Sequence, residues 1–319
     1  MSYATSIFFG INLINSFMNA VENHLPHYNW DLYGRDLARK LPPKQADALK
    51  KIEMLKNKIC EKAQIPHEVV SIRLQERGIV ESHGNSNQAV LGISLQLLAS
   101  YQPIDPPNQL LTAPITSRNR FREFIQSLPD HPDELISTIK KLPAKDLQDY
   151  LSLAKNYALD LKEEEMQFVL SHEIRGHIRS NDAAQTSSYS NLLGWGTFSI
   201  AELANAYLPF TYSKFVWHSI FYSIRWISLS KAINFRQEKL ADIAALELPE
   251  NIPGGIHYFK RLLAINLLYK YTPFEIGTPE HTYQFLSDSN GESFFRLTYE
   301  TTKARLLRCW QAAHIPIKS

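Results

Sequence analysis

Two histidines placed to share one metal ion stand one residue too far apart in this chain, and that spacing constrains the fold more than any other feature. Residues 169–180 read VLSHEIRGHIRS, so His172 and Glu173 are followed by three residues before His177. On a regular helix, positions four apart differ by about 40° in direction, whereas positions five apart differ by about 140°. His172 and His177 can therefore meet only if the helix absorbs one extra residue. A π-bulge does this, because an i→i+5 hydrogen bond takes up the residue and returns both rings to one face. Such bulges concentrate at functional sites. Gly176, just before the second histidine, gives the backbone freedom to bulge. The competing reading is a solvated helix face carrying Glu173, Arg175, His177 and Arg179. The flank opposes it, since Phe168, Val169 and Leu170 lead directly into Ser171 and His172.

A hydrolytic zinc takes three protein ligands and keeps a position for water. The only two cysteines among 319 residues, Cys60 and Cys309, lie far apart. They make neither a disulfide framework nor a zinc ribbon, so a metal must be held by histidine and carboxylate. Residues 234–248, NFRQEKLADIAALEL, read as a strong helix. Glu238 and Asp242 stand four apart on one face, and Ala241, Ala244 and Ala245 are small enough for close helix packing. Glu238 is the candidate third ligand, and Asp242 is placed to orient a ligand histidine from behind. Alone, this segment is an ordinary solvated face. Joined to the histidine helix in this order, it reads as a site for one Zn2+ per chain. Glu173 would stand beside the metal's water as general base and later proton donor.

The two segments together resemble the gluzincin metallopeptidase family that contains the CAAX prenyl endopeptidase and the HtpX heat-shock protease. That family carries a V-L-A-H-E-x-G-H helix, an apolar hairpin-like region, and an R-x-x-E-x-x-A-D helix. Here the first reads VLSHEIRGHI, with Arg175 or its neighbour extra. The second reads RQEKLAD, with Arg236 one place closer to the glutamate. The lengthened H-E-x-x-x-H spacing is similar to that of dipeptidyl peptidase III. The resemblance implies zinc at His172, His177 and Glu238, with Glu173 as base. It implies a strand pair upstream, whose second strand would be the edge that an extended substrate joins. The family's late Thr-His-Pro-Pro element is matched only by TPEH, Thr278 to His281. His281 is the corresponding candidate for stabilising the transition state, beside Tyr258, His257 and Tyr283.

The remaining chain supplies the frame. Residues 32–63 read as helical. EVVSIRL (68–74) and AVLGISL (89–95) read as strands, with the turn-rich SHGNSN (82–87) before the second. Residues 121–161 read as three short helices. Helices continue after the motif with breaks near 249–255 and 287–292. The first 21 residues carry no charge, and Ile7, Ile11, Ile14, Met18 and Val21 recur at helical spacing. They suggest an amphipathic helix packed on the body of the protein. Residues 191–230 are apolar and aromatic but contain Glu202, Lys214, Arg225 and Pro209. That pattern suits a buried or membrane-apposed hairpin better than a span.

The expected fold is thus α+β, mostly α-helical and zincin-like, with a small β-sheet beside the motif helix. Residues 1–58 would form an N-terminal helical segment. Residues 59–319 would form the peptidase domain, with a helical insertion at about 101–160. The expected activity is that of a zinc-dependent metalloendopeptidase, hydrolysing peptide bonds through a zinc-bound water activated by Glu173. The alternative is a catalytically degenerate zincin-fold scaffold or binding protein. The third reading is a membrane-associated helical protein whose working part is 191–230. The expected partner is a protein or peptide substrate, with a membrane surface as a second. A formal net charge of +2 and no Lys/Arg run argue against nucleic acid. The cysteine usage suggests a cytoplasmic location, with membrane association left open.

Overall fold

The computed structural model describes residues 3–24, 41–75, 79–101, 117–207, 213–228, 233–293 and 300–314. Its elements are mostly helical, with one three-stranded sheet. In chain order they are α1 (Tyr3–His24), α2 (Pro43–Ala63), β1 (Val70–Gln75), β2 (Val80–Asn85), β3 (Gln88–Ser94) and α3 (Leu95–Ser100). Then come α4 (Ser117–Ser127), α5 (Pro132–Lys140), α6 (Ala144–Tyr157) and α7 (Glu163–Ser171), which runs straight into a π-helical turn, His172–Ile178. The rest comprises α8 (Asp182–Tyr207), α9 (Ser213–Ser228), α10 (Phe235–Leu246), α11 (Ile252–Tyr271), α12 (Pro279–Phe285) and α13 (Thr302–His314).

Helix α11 is the spine. Its Phe259, Leu263, Ala264, Leu267 and Leu268 are buried, and α5, α6, α7 and α13 pack around it. The helix break expected near 249–255 falls at 247–251, between α10 and α11, whereas Pro253, Gly254 and Gly255 lie inside the first turns of α11. Proline is tolerated there because the first helical amides have no intrahelical partner. The two glycines serve contact. A Cβ on Gly254 would fall 2.0 Å from the Glu164 carbonyl oxygen, and one on Gly255 would fall 2.9 Å from the Phe168 ring. They let α11 lie directly against the motif helix.

The boundary expected between residues 58 and 59 falls inside α2, whose Ile52, Leu55, Ile59, Cys60 and Ala63 form one continuous buried face. α2 therefore belongs to the main core. Residues 32–40 of the expected helix lie outside the described residues. Helices α4–α6, expected as an insertion, place Phe121, Phe124, Leu135, Ile139, Leu147 and Leu151 in that same core.

The sheet corrects two expectations. SHGN (82–85) is the body of strand β2, paired antiparallel to β3 through a turn at Ser86 and Asn87. The Asn85 side chain fixes that turn by accepting from the Asn87 and Gln88 amides. Strand β3 pairs parallel to β1 on its other side, giving the order β1-β3-β2. The strand expected at the edge is therefore central, which explains why Ala89–Ile93 is an unbroken apolar run buried on both faces. The edge beside the motif helix is β2, and it packs against the π-turn.

Helices α8 and α9 form the hairpin expected in 191–230, and α1 packs on both. The face of α1 that meets them mixes polar residues with the Phe8 and Phe9 rings, whereas Ile7, Ile14 and Met18 of the expected stripe are exposed. Thr5 bonds to Glu202, the Asn12 amide to the Gly194 carbonyl oxygen, and Ser16 to Asn191. His218 is only 3% exposed, bonds to Glu202 at 2.7 Å and stacks on Phe8. Other apolar residues point outward, with Ile14 62%, Phe17 66% and Leu192 70% exposed. Among the described residues, no helix is long and apolar enough to cross a membrane.

Candidate metal centre

The π-turn does what the spacing demanded. The Arg179 amide bonds to the Ile174 carbonyl oxygen at 2.9 Å, an i→i+5 bond. It brings the two rings together, with His172 Nε2 3.1 Å from His177 Nε2. Gly176 contributes differently from what the sequence suggested. Its φ is not positive, but a Cβ there would sit 2.3 Å from Ala241 Cβ. Its lack of a side chain brings α10 against the π-turn.

That approach delivers Glu238. Its Oε2 is 3.2 Å from His172 Nε2 and its Oε1 3.5 Å from His177 Nε2. His177 Nδ1 donates to Asp182 Oδ2 at 3.0 Å. His172 Nδ1 lies 3.0 Å from Asp242 Oδ1, a short ion-pair contact that is not an aligned hydrogen bond. A carboxylate only accepts, so each Nδ1 holds its proton there, and each imidazole when neutral turns an Nε2 lone pair inward. Two such lone pairs 3.1 Å apart need a cation or a proton between them.

Metal ligands about 2.0 Å from a tetrahedral zinc lie about 3.3 Å from each other. The separations of 3.1, 3.2 and 3.5 Å lie near that edge, the last two measured to different oxygens of Glu238, so the three side chains converge as such an ion requires. Glu173 is also close, and ligand-capable atoms of His172, Glu173 and His177 all lie within 4.8 Å of one another. The two glutamates differ in engagement. Both oxygens of Glu238 face the histidines, whereas Glu173 Oε2 accepts from Ser82 Oγ of β2 at 2.6 Å. Glu238 thus suits a ligand, and Glu173 suits proton transfer beside it.

Electrostatics tighten the cluster. Burial opposes a charge on His172, but the carboxylates of Asp242 and Glu238 outweigh it and lift its pKa from 6.5 to about 10. Burial opposes ionisation of Asp242 too, yet His172 and Arg305 hold it well below the usual carboxylate range. Glu238 is lowered in the same way, against burial, by His172, His177 and Arg305. Arg305 clamps Asp242 with two bonds, at 2.8 and 2.6 Å, and Arg308 adds a third at 2.8 Å.

The structure therefore brings His172, Glu173, His177, Glu238 and Asp242 together and leaves His281 apart. Helix α12, which carries His281, packs at the far end of α11. There Tyr283 packs edge-on against Tyr269, and Gln284 bonds to the Tyr269 and Lys270 carbonyls. From residue 258 to 270 the α11 axis runs about 18 Å. His257 is engaged by Glu164 at 2.5 Å. Tyr258 packs on Phe168 and Phe259, and burial pushes its phenol pKa up, with Arg305 opposing and the charges of Glu173 and Asp242 adding to it.

Sequence reasoning missed Asp182, Arg305, Arg308 and Ser82. For Asp182 a signal existed, because a ligand histidine usually donates its second N–H to a carboxylate and Asp182 follows His177 by five residues. Comparison with known proteins gives no match of any kind: no family model fits the chain, and neither a curated protein nor a solved structure matches it.

Proposed function

We propose that this chain is a zinc metallopeptidase acting on protein or peptide substrates. The observation that carries the reading is the convergence of His172 Nε2, His177 Nε2 and the Glu238 carboxylate at 3.1–3.5 Å, with Glu173 beside them. Zinc held there would supply Lewis acidity toward a carbonyl and toward water. Around it, Asp182 and Asp242 hold the imidazoles in one tautomer. Glu173, its orientation fixed by Ser82, accepts a proton and returns it to the leaving amine. Strand β2 offers an edge to which an extended peptide can add, next to the π-turn.

The scaffold alternative was motivated by the extra residue. Its force weakens because the π-turn absorbs that residue and leaves the ligand atoms adjacent. A membrane surface as second partner is supported by the bundle of α1, α8 and α9, which pairs Thr5, Asn12, Ser16 and His218 internally and exposes large apolar residues such as Ile14, Phe17, Leu192 and Phe215. Lipid rewards that distribution and water does not.

The test is metal first, then chemistry. Protein purified without added metal or chelator should hold about one zinc, and Glu238→Ala should lose it. Glu173→Gln should keep the zinc and lose hydrolysis of any peptide the parent cleaves. A parent that takes up no zinc, or a Glu173→Gln variant with full hydrolysis, would sink the proposal.

A further inference from the structure

Arg175 lies within the lengthened spacing of the motif, and its side chain is buried, with 7% exposure. Its Nε donates to the Ala244 carbonyl oxygen at 3.1 Å, its Nη1 to the Lys62 carbonyl oxygen at 3.4 Å, and its Nη2 pairs with Glu247 Oε2 at 2.7 Å. Ala244 is in the last turn of α10 and Lys62 in the last turn of α2. Carbonyls at helix ends lack intrahelical donors. For Lys62 the position four residues on is Pro66, which has no N–H to give. One guanidinium therefore satisfies the ends of two helices from within the π-turn.

Helix α10 is also the helix that carries Glu238. The π-turn holds two candidate ligands and α10 the third, and Arg175 spans the two elements. We infer that Arg175 is a positioning residue of the metal centre, fixing the π-turn against α10 so that all three ligands keep one geometry. The inference rests on the zinc reading above. It turns the departure from regular spacing into a working part, because a residue within the bulge also fastens it. Lysine cannot replace it, since one ammonium does not reach three acceptors laid out for a planar fork.

The experiment uses the full chain as parent, Arg175→Ala, Arg175→Lys and Glu247→Ala. Zinc affinity is read by chelator competition, and ligand geometry by the visible absorption of the cobalt-substituted protein. Far-UV circular dichroism and melting of the metal-free chain report the fold. Arg175→Ala should keep its helical signal, bind zinc at least about tenfold more weakly, and show altered cobalt bands. Arg175→Lys should recover only part of the affinity. Glu247→Ala removes a partner at the exposed rim and should stay within about threefold of the parent. If Arg175→Ala matches the parent in affinity and cobalt spectrum, the residue is merely structural and the inference falls, whatever its melting temperature. If that variant does not fold, Arg175→Lys carries the test, and parental affinity in it overturns the inference. A parent without zinc removes the metal reading itself, a separate outcome read before any variant.

Discussion

Gly176→Ala should damage the metal centre without touching a ligand. The added Cβ would stand 2.3 Å from Ala241 Cβ and 2.5 Å from Ala241 Cα. Carbon atoms settle at about 3.5–4.0 Å, so the π-turn and α10 must part by about 1 Å or more. Neither wall can yield, because both are backbone or a bare methyl. The ligands straddle that seam: separation stretches the 3.2 and 3.5 Å edges between Glu238 and the histidines and leaves the 3.1 Å edge within the π-turn intact. The expected result is a site with two ligands in place and the third withdrawn. Overpacking of this kind costs about 1–3 kcal/mol, or about 2–6 °C of melting temperature in a chain of this size. A ligand displaced by that distance should lower zinc affinity at least about tenfold, which is about 1.4 kcal/mol. Chelator competition and thermal melts with and without zinc measure both. Gly196→Ala is the control, since a Cβ there meets nothing within 4 Å. Parental zinc affinity in Gly176→Ala would show that the closeness of these helices does not set the ligand geometry.

Two further outcomes follow from the same coordinates. In the metal-free chain the pKa of His172 is raised from 6.5 to about 10. Its proton thus stabilises the fold fully below about pH 6.5, and that contribution is lost as pH rises through 10. Zinc must displace this proton, so calorimetric titration at about pH 8 in buffers of different ionisation enthalpy should show about one proton released per zinc; a buffer-independent heat refutes it. The outward apolar residues of α1 and α8 predict flotation with phosphatidylcholine vesicles, and Ile14→Glu with Leu192→Glu should abolish it. A parent that stays at the bottom of the gradient removes the membrane surface as partner.

The candidate ligands were legible because their chemistry is local: few residue types bind zinc, and each pair lies on one helix. The π-turn was legible too, since one extra residue between two converging histidines leaves few conformations. What sequence hid was partnership across the chain. Ser82 to Asn85 look like a turn because their strand character comes from pairing with β3 and not from their own preference. The stripe of Ile7, Ile14 and Met18 marks one apolar face of α1, but periodicity does not say that such a face is buried. Here Thr5, Asn12 and Ser16 are inside beside Phe8, because Glu202, Asn191, the Gly194 carbonyl and the His218 ring wait for them. Gly254 and Gly255 look like a break for the same reason: only the neighbouring helix reveals them as a contact. Arg305 and Arg308 carry no local mark of their bond to a carboxylate more than 60 residues upstream.

That last bond gives the molecule an order of assembly. Asp242 is buried among His172, Arg305 and Arg308, and without the arginines its carboxylate would keep His172 as its remaining charged partner. During synthesis the histidines emerge first, Glu238 and Asp242 much later, and α13 later still. A ribosome-bound chain ending before α13 therefore carries every candidate ligand yet lacks the countercharge that lets them lie together. On the zinc reading, metal loading would be a late event in the life of the chain, and zinc uptake by nascent chains of graded length would report the arrival of α13.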